Sequence, residues 1–158
     1  MIPLRAFIFS LLVLLHVAAG AAAADLTLTL TNLTNGTYFT PLLVSAHDAD
    51  TDLFEPGTTA SDALVAMAEG GNINGLIALV GDEDADTIAN PADGLLAPGD
   101  SVTFSMTTVS DRPLLSLAAM LLPTNDGFVG LDSLTLPTTA GSYHYDLLAY
   151  DAGSEAND

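Results

Sequence analysis

Acidic residues are the side chains of this sequence best suited to chemistry, because they are numerous and basic partners are scarce. The 158 residues include 20 Asp and Glu against two Lys and Arg, and no Cys. Clustered carboxylates without basic partners must be solvated, protonated or bound to a cation. Ca²⁺ prefers about six to eight hard oxygen ligands, so this composition favours calcium over a thiolate-bound metal.

The last acidic residues have a spacing that suits a metal site. In YDAGSEAND, Asp151 and Glu155 flank Gly153, which allows a sharp turn that can bring Glu155 back toward Asp151. The upstream sequence Asn-Asp-Gly is also typical of a turn, and its Asp126 can point outward from the end of a strand. On spacing alone, Asx turns in which Asp126 and Asp151 bond their own backbone are favoured over a metal site.

Two other acidic stretches imitate the EF-hand calcium loop. They consist of Asp48, Asp50 and Asp52, and of Asp82, Asp84 and Asp86. Neither has the Gly at the sixth loop position or the bidentate Glu at the twelfth that the EF-hand requires. We therefore interpret both stretches as solvated acidic loops.

Catalytic motifs are scarce in this sequence. After residue 24 only His47 and His144 remain as imidazoles, and no H-E-x-x-H, C-x-x-C or G-x-S-x-G sequence occurs. Arg112 is the one basic residue of that region, and one Arg cannot build a phosphate clamp. We predict that the protein is not an enzyme and that both His residues are structural.

The first 24 residues have the pattern of a secretory signal peptide. Arg5 precedes an apolar run over residues 6–17, and small residues at 21–24 are typical of a cleavage site. The apolar run is shorter than the roughly 18 to 20 residues that a transmembrane helix needs. We predict a signal peptide over residues 1–24, one domain over residues 25–158, and a secreted, periplasmic or cell-surface location.

Charge narrows the range of partners. Residues 25–158 contain one basic against 20 acidic residues, a net charge of −19. Such a field repels phosphates, which argues against nucleic acid and against calcium-bridged binding to anionic lipids. No later apolar run is long enough to cross a bilayer, so we also predict no stable membrane insertion. An extracellular protein or a glycan remains as the expected ligand.

Hydrophobic periodicity predicts a mainly β fold. Residues 25–33 alternate Leu and Thr as in a half-buried strand, and the Asn35-Gly36 turn predicts a hairpin with the apolar residues that follow. Later strands are predicted at residues 100–109, 113–123 and 141–150. Between the early and late strands, Ser61 is positioned to cap a helix that ends at Gly70-Gly71, and a second short helix is predicted for residues 74–80. The pattern predicts an antiparallel β-sandwich with a short helical insertion.

The motifs LLPTNDGFVGLDSLTLP and AYDAGSEAND resemble the spondin N-terminal domain family, the module of F-spondin-type matrix proteins and of many bacterial exported proteins. LTNLTNGTYFTPLLVSAHD, LFEPGTTASDALVAMAEGG and LAPGDSVTFSM match in the same order. The resemblance covers essentially all of residues 26–158. It implies a C2-like antiparallel β-sandwich.

The resemblance also implies one calcium ion, held by the side chains of Asp126, Asp151 and Glu155. At the last position the vertebrate relatives have Asp, whereas Glu is longer by one methylene and can still chelate. From these features we expect an exported calcium-binding β-sandwich that acts as an adhesion or ligand-binding module without catalytic activity. The alternative is a structural or assembly component of a cell surface or extracellular matrix in which metal is incidental.

Overall fold

The computed structural model describes residues 11–19, 23–81 and 86–156. The strands and helices of these residues follow in this order: β1 (Leu11–Ala19), β2 (Ala23–Asn32), β3 (Tyr38–Phe39), β4 (Leu43–His47), α1 (Asp62–Gly70), α2 (Asn74–Val80), β5 (Thr87–Ala89), β6 (Ser101–Val109), β7 (Leu114–Leu122), β8 (Gly127–Thr135), β9 (Gly141–Tyr145) and β10 (Leu148–Asp151).

The strands form two antiparallel sheets. The four-stranded sheet has the order β6-β2-β1-β9, and the six-stranded sheet has the order β10-β8-β7-β4-β5, with β3 also paired to β7. The main core lies between them. Leu26, Leu28 and Leu30 of β2 contribute one side of this core, and residues such as Val44 and Leu117 contribute the other. The predicted antiparallel β-sandwich is confirmed, whereas its likeness to C2 domains stays a prediction.

The two helices cover the outer face of the six-stranded sheet. A second core forms there, in which Leu64 and Met67 of α1 and Leu76 of α2 pack with Ala118 and Phe128 of the sheet. Strands β4 and β7 are therefore buried on both faces, which explains why neither sequence alternates between apolar and polar residues. Each fully buried Leu contributes roughly 1.5 to 3 kcal/mol relative to an exposed one.

Both helices confirm the prediction from the sequence. The Ser61 hydroxyl accepts the backbone N–H of Leu64, which satisfies one of the free donors at the start of α1. Gly71 ends the helix in the left-handed conformation at φ 66°. Helix α2 spans Asn74–Val80, as predicted.

The predicted hairpin between β2 and the next strands is wrong. The chain does turn at Gly36, with φ 116°, but β2 pairs with β1 and β6 while β3 and β4 join the other sheet. The fully buried Asn32 holds this crossing, because its side-chain amide donates to the carbonyls of Thr37 and Leu96. Asn32-Leu33-Thr34 and Asn35-Gly36-Thr37 both have the Asn-x-Thr pattern of a glycosylation site. The Asn32 amide, engaged in this way, cannot accept a glycan in the folded protein, whereas Asn35 is exposed.

The predicted strand over residues 141–150 is also wrong as a single element. It is two strands, β9 and β10, which lie in different sheets. Leu147, between them, is 1% exposed, so the chain passes through the core at this point. Strands β5 and β8 were not predicted from the periodicity. In β8 the buried residues are consecutive at 128–130, so no alternation marks the strand.

The amino-terminal strand β1 overlaps the predicted signal peptide. Its backbone lies between β2 and β9, so that Val13 is opposite both Leu30 and Tyr145. Residues 1–10 and 20–22 of the predicted peptide lie outside the described part of the chain. Among the helices of the described residues, none is long and apolar enough to cross a membrane.

Candidate metal site at the C-terminal turn

Two neighbouring strands bring the predicted site segments together. Asp151 at the end of β10 is paired with Gly127 at the start of β8. Asp126 therefore lies directly beside the chain that leaves β10, and its carbonyl oxygen accepts the backbone N–H of Ala152 at 3.1 Å. Segments far apart in sequence meet at one end of the sheet.

Asp126 is the buried centre of this arrangement, with 4% of its surface exposed. Its Oδ2 accepts the backbone N–H groups of Ser154 and Glu155, each at 3.0 Å, and the Ser154 hydroxyl lies at 3.4 Å. A buried carboxylate needs such donors, because burial removes its hydration. Asp126 thus fixes the path of the C-terminal turn.

Asp151 and Glu155 differ from Asp126 in exposure and in partners. Asp151 is half-buried, and its Oδ1 accepts the N–H of Gly153 at 2.7 Å, which is an Asx turn. Gly153 has φ 70°, a conformation that favours glycine, so it is the pivot that the sequence indicates. The Glu155 side chain is exposed, and its segment is anchored through its own backbone N–H.

The three predicted ligands lie in or directly beside the C-terminal turn, but their carboxylates are not gathered around one point. In the described part of the chain, no group of three or more Asp, Glu, His or Cys side chains is placed to hold a metal ion as it stands. The donor chemistry nevertheless suits calcium. The hydrogen bonds above use Oδ2 of Asp126 and Oδ1 of Asp151, and each carboxylate has a second oxygen with which it can bind a hard cation.

Several neighbours of this site were not predicted. Thr124 shapes the turn before β8, since its hydroxyl donates to the Leu121 carbonyl and accepts the N–H of Gly127 at 3.1 Å. Glu69, in the last turn of α1, lines the same surface hollow as Glu155. An acidic side chain at a helix C-terminus is electrostatically unfavourable, and Glu69 adds negative charge beside the turn. Glu69 and Glu155 are far apart in sequence, so no local pattern predicts that they line one hollow.

The other acidic stretches have local roles. Asp48 accepts the N–H of Asp50 and the hydroxyl of Thr51, so this exposed loop is an Asx turn. Asp82 and Asp84 lie outside the described residues. The interpretation as a solvated loop is wrong for Asp86, which is buried and forms a 2.6 Å ion pair with Arg112. The one basic side chain after residue 24 is therefore already engaged.

The two imidazoles occupy different environments. The ring of His47 is buried between the Asp48 carbonyl, at 2.7 Å, and the Ser116 hydroxyl, at 2.8 Å. This arrangement agrees with a structural role. His144 lies on the exposed side of β9.

Comparison with known proteins assigns the chain to a family. The family model described as Spondin_N matches residues 31–157, which include the whole candidate site. No curated protein matches the chain well enough to add a relative. Because the matched region is most of the 158 residues, the chain belongs to the spondin N-terminal domain family.

Proposed function

We propose that this protein is an exported calcium-binding β-sandwich, and that it acts as an adhesion or ligand-binding module without catalytic activity. The family is one of extracellular, non-catalytic modules. Export would use the predicted signal peptide over residues 1–24. Cleavage after it would release a domain of residues 25–158.

The observation that supports calcium is the hydrogen-bonded junction between Asp126 and the turn at residues 151–155. Asp126, Asp151 and Glu155 would supply carboxylate oxygens. Calcium would neutralise negative charge in residues 25–158, where the one basic residue, Arg112, is paired with Asp86. Ligand binding to the folded state alone raises the free energy of unfolding. The ion would therefore stabilise the C-terminal turn and shape any ligand surface around it.

A calcium titration by calorimetry on residues 25–158 tests this proposal, together with thermal melting in calcium and in chelator. We expect one saturable site and a melting temperature that falls when calcium is removed. Asp151→Asn and Glu155→Gln should weaken calcium binding, because each removes a negatively charged ligand. Neither side chain is buried, so both variants should keep the core intact. Asp111→Asn, at an exposed acid away from the turn, is the matched control. Identical melting curves with and without calcium would contradict the site.

The second candidate function is structural assembly at a cell surface or matrix, with metal incidental. Size-exclusion chromatography with and without calcium separates the two functions. Self-association that is indifferent to calcium favours assembly. A partner, protein or glycan, that binds only in calcium favours the recognition module.

A further inference from the structure

We propose that a cavity beside the C-terminal turn binds a basic side chain, arginine or lysine, presented by a partner protein. The cavity has a volume of about 300 Å³ and lies between the loop of residues 52–61, the first turn of α1, Leu79 of α2 and the end of β10. This inference rests on the proposed role as a binding module and names the chemistry of its partner.

Aromatic and aliphatic side chains provide the apolar part of the cavity. The rings of Phe54, Phe128 and Tyr150 form one cluster, with centroids 5.0 to 5.3 Å apart. Phe54 and Phe128 are buried, and Tyr150 retains partial exposure. Leu79 also lines the cavity and is 48% exposed, so its side chain is accessible to a ligand. Such walls suit the aliphatic stem of Arg or Lys.

Acidic side chains provide the polar part. Asp52 and Glu55 lie on the exposed loop, and Asp151 lies at the end of β10. The cavity lining contains no Lys or Arg, and Arg112 is paired with Asp86 elsewhere. Carboxylates next to an aromatic ring favour a cation, through charge-assisted hydrogen bonds and cation–π attraction. An anionic ligand would be repelled.

One feature of the lining could oppose a cation, and it is offset. The N-terminus of α1 is close to the cavity, but the Ser61 hydroxyl caps it and Asp62 places a negative charge in its first turn. The lining thus presents three carboxylates and no basic side chain.

The test uses N-acetyl-arginine amide as the probe, with binding followed by NMR shifts of the Tyr150 and Leu79 signals. We expect saturable binding that weakens with salt, and weaker binding of the neutral isostere N-acetyl-citrulline amide. Asp52→Asn and Glu55→Gln should each weaken binding about two- to fivefold, and Glu55→Lys should abolish it. Asp111→Asn removes one negative charge, as Asp52→Asn and Glu55→Gln do, and is the control for those two variants.

The same titration in calcium and in chelator separates this inference from the metal site. Arginine binding that persists in chelator supports the cavity even if calcium does not bind. Calcium binding without arginine binding overturns the cavity proposal and leaves the metal site standing. Equal affinity for the arginine and citrulline probes, or preference for N-acetyl-glutamate amide, would also overturn it.

Discussion

Asp126 and Glu155 are joined across 29 positions of sequence by a 3.0 Å hydrogen bond from the backbone N–H of Glu155 to the carboxylate of Asp126. Ser154 donates to the same oxygen. Hydrogen bonds within the protein therefore define the path of the C-terminal turn. This separates the structural role of Asp126 from its proposed role as a calcium ligand, and the two roles can be tested independently.

Asp126→Ala should lower the free energy of unfolding by about 3 kcal/mol in chelator, because the donors to a buried carboxylate lose a charged acceptor. Asp126→Asn keeps one carbonyl oxygen and should cost about half as much. Urea denaturation measures both changes. Asp111→Asn controls for the loss of one negative charge in an acidic domain. A stability loss that appears only in calcium would show that Asp126 acts as a ligand alone.

Gly153→Ala should cost about 1 to 2 kcal/mol, the strain of a left-handed backbone for a residue with a Cβ. An added Cβ would meet no atom within 4 Å, so the cost comes from the backbone and not from a clash. Gly153→Asn should cost less, since Asn tolerates this conformation better. Thermal denaturation of Gly153→Ala and Gly153→Asn distinguishes the two causes. Backbone strain makes Ala the more destabilising residue, whereas a packing defect would make the larger Asn more destabilising.

Gly130→Ala should destabilise the domain by about 1 to 3 kcal/mol through overpacking. Its Cβ would lie 2.6 Å from the Phe54 ring, which is itself held against Phe128 and Tyr150. Phe54→Leu in the same chain should recover part of the loss. Gly70→Ala, which meets open space in α1, is the control and should not destabilise. Additive losses in the double variant would rule out the predicted contact.

Removal of residues 1–24 takes β1 out of the four-stranded sheet. Strand β9 loses its one sheet neighbour, and β2 keeps β6 alone. We expect faster amide hydrogen exchange in residues 141–145 of the shortened chain than of the full chain, with slow exchange retained across the β2–β6 pairs. Equal protection of β9 in both chains would show that it pairs directly with β2 once β1 is gone.

Tyr150 should titrate at a higher pH than a free tyrosine side chain. Its pKa is raised by burial and by the nearby charge of Asp132. A folded pKa above the unfolded value means that the folded state holds its proton longer. The contribution of the protonated Tyr150 hydroxyl to the free energy of unfolding is therefore complete below pH 10, and it is lost as the pH rises through the folded pKa. Tyrosinate absorbance, compared with that of Tyr150→Phe, checks this assignment.

The sequence by itself determined the local elements of this protein. Ser61 and Gly71 set the ends of α1, and the Leu-Thr alternation of β2 set which side chains are buried, because caps and periodicity act over a few residues. The Asp126, Asp151 and Glu155 motif was also visible in the sequence. Only tertiary structure decided which strands are neighbours. The turn at Gly36 leads into the other sheet and does not close a hairpin. The prediction was wrong because a crossing held by the buried Asn32 has the same local sequence pattern as a hairpin. Likewise Glu69 lines the same hollow as Glu155, and Leu79 lines the same cavity as Tyr150, because of the packing of elements that no local pattern connects.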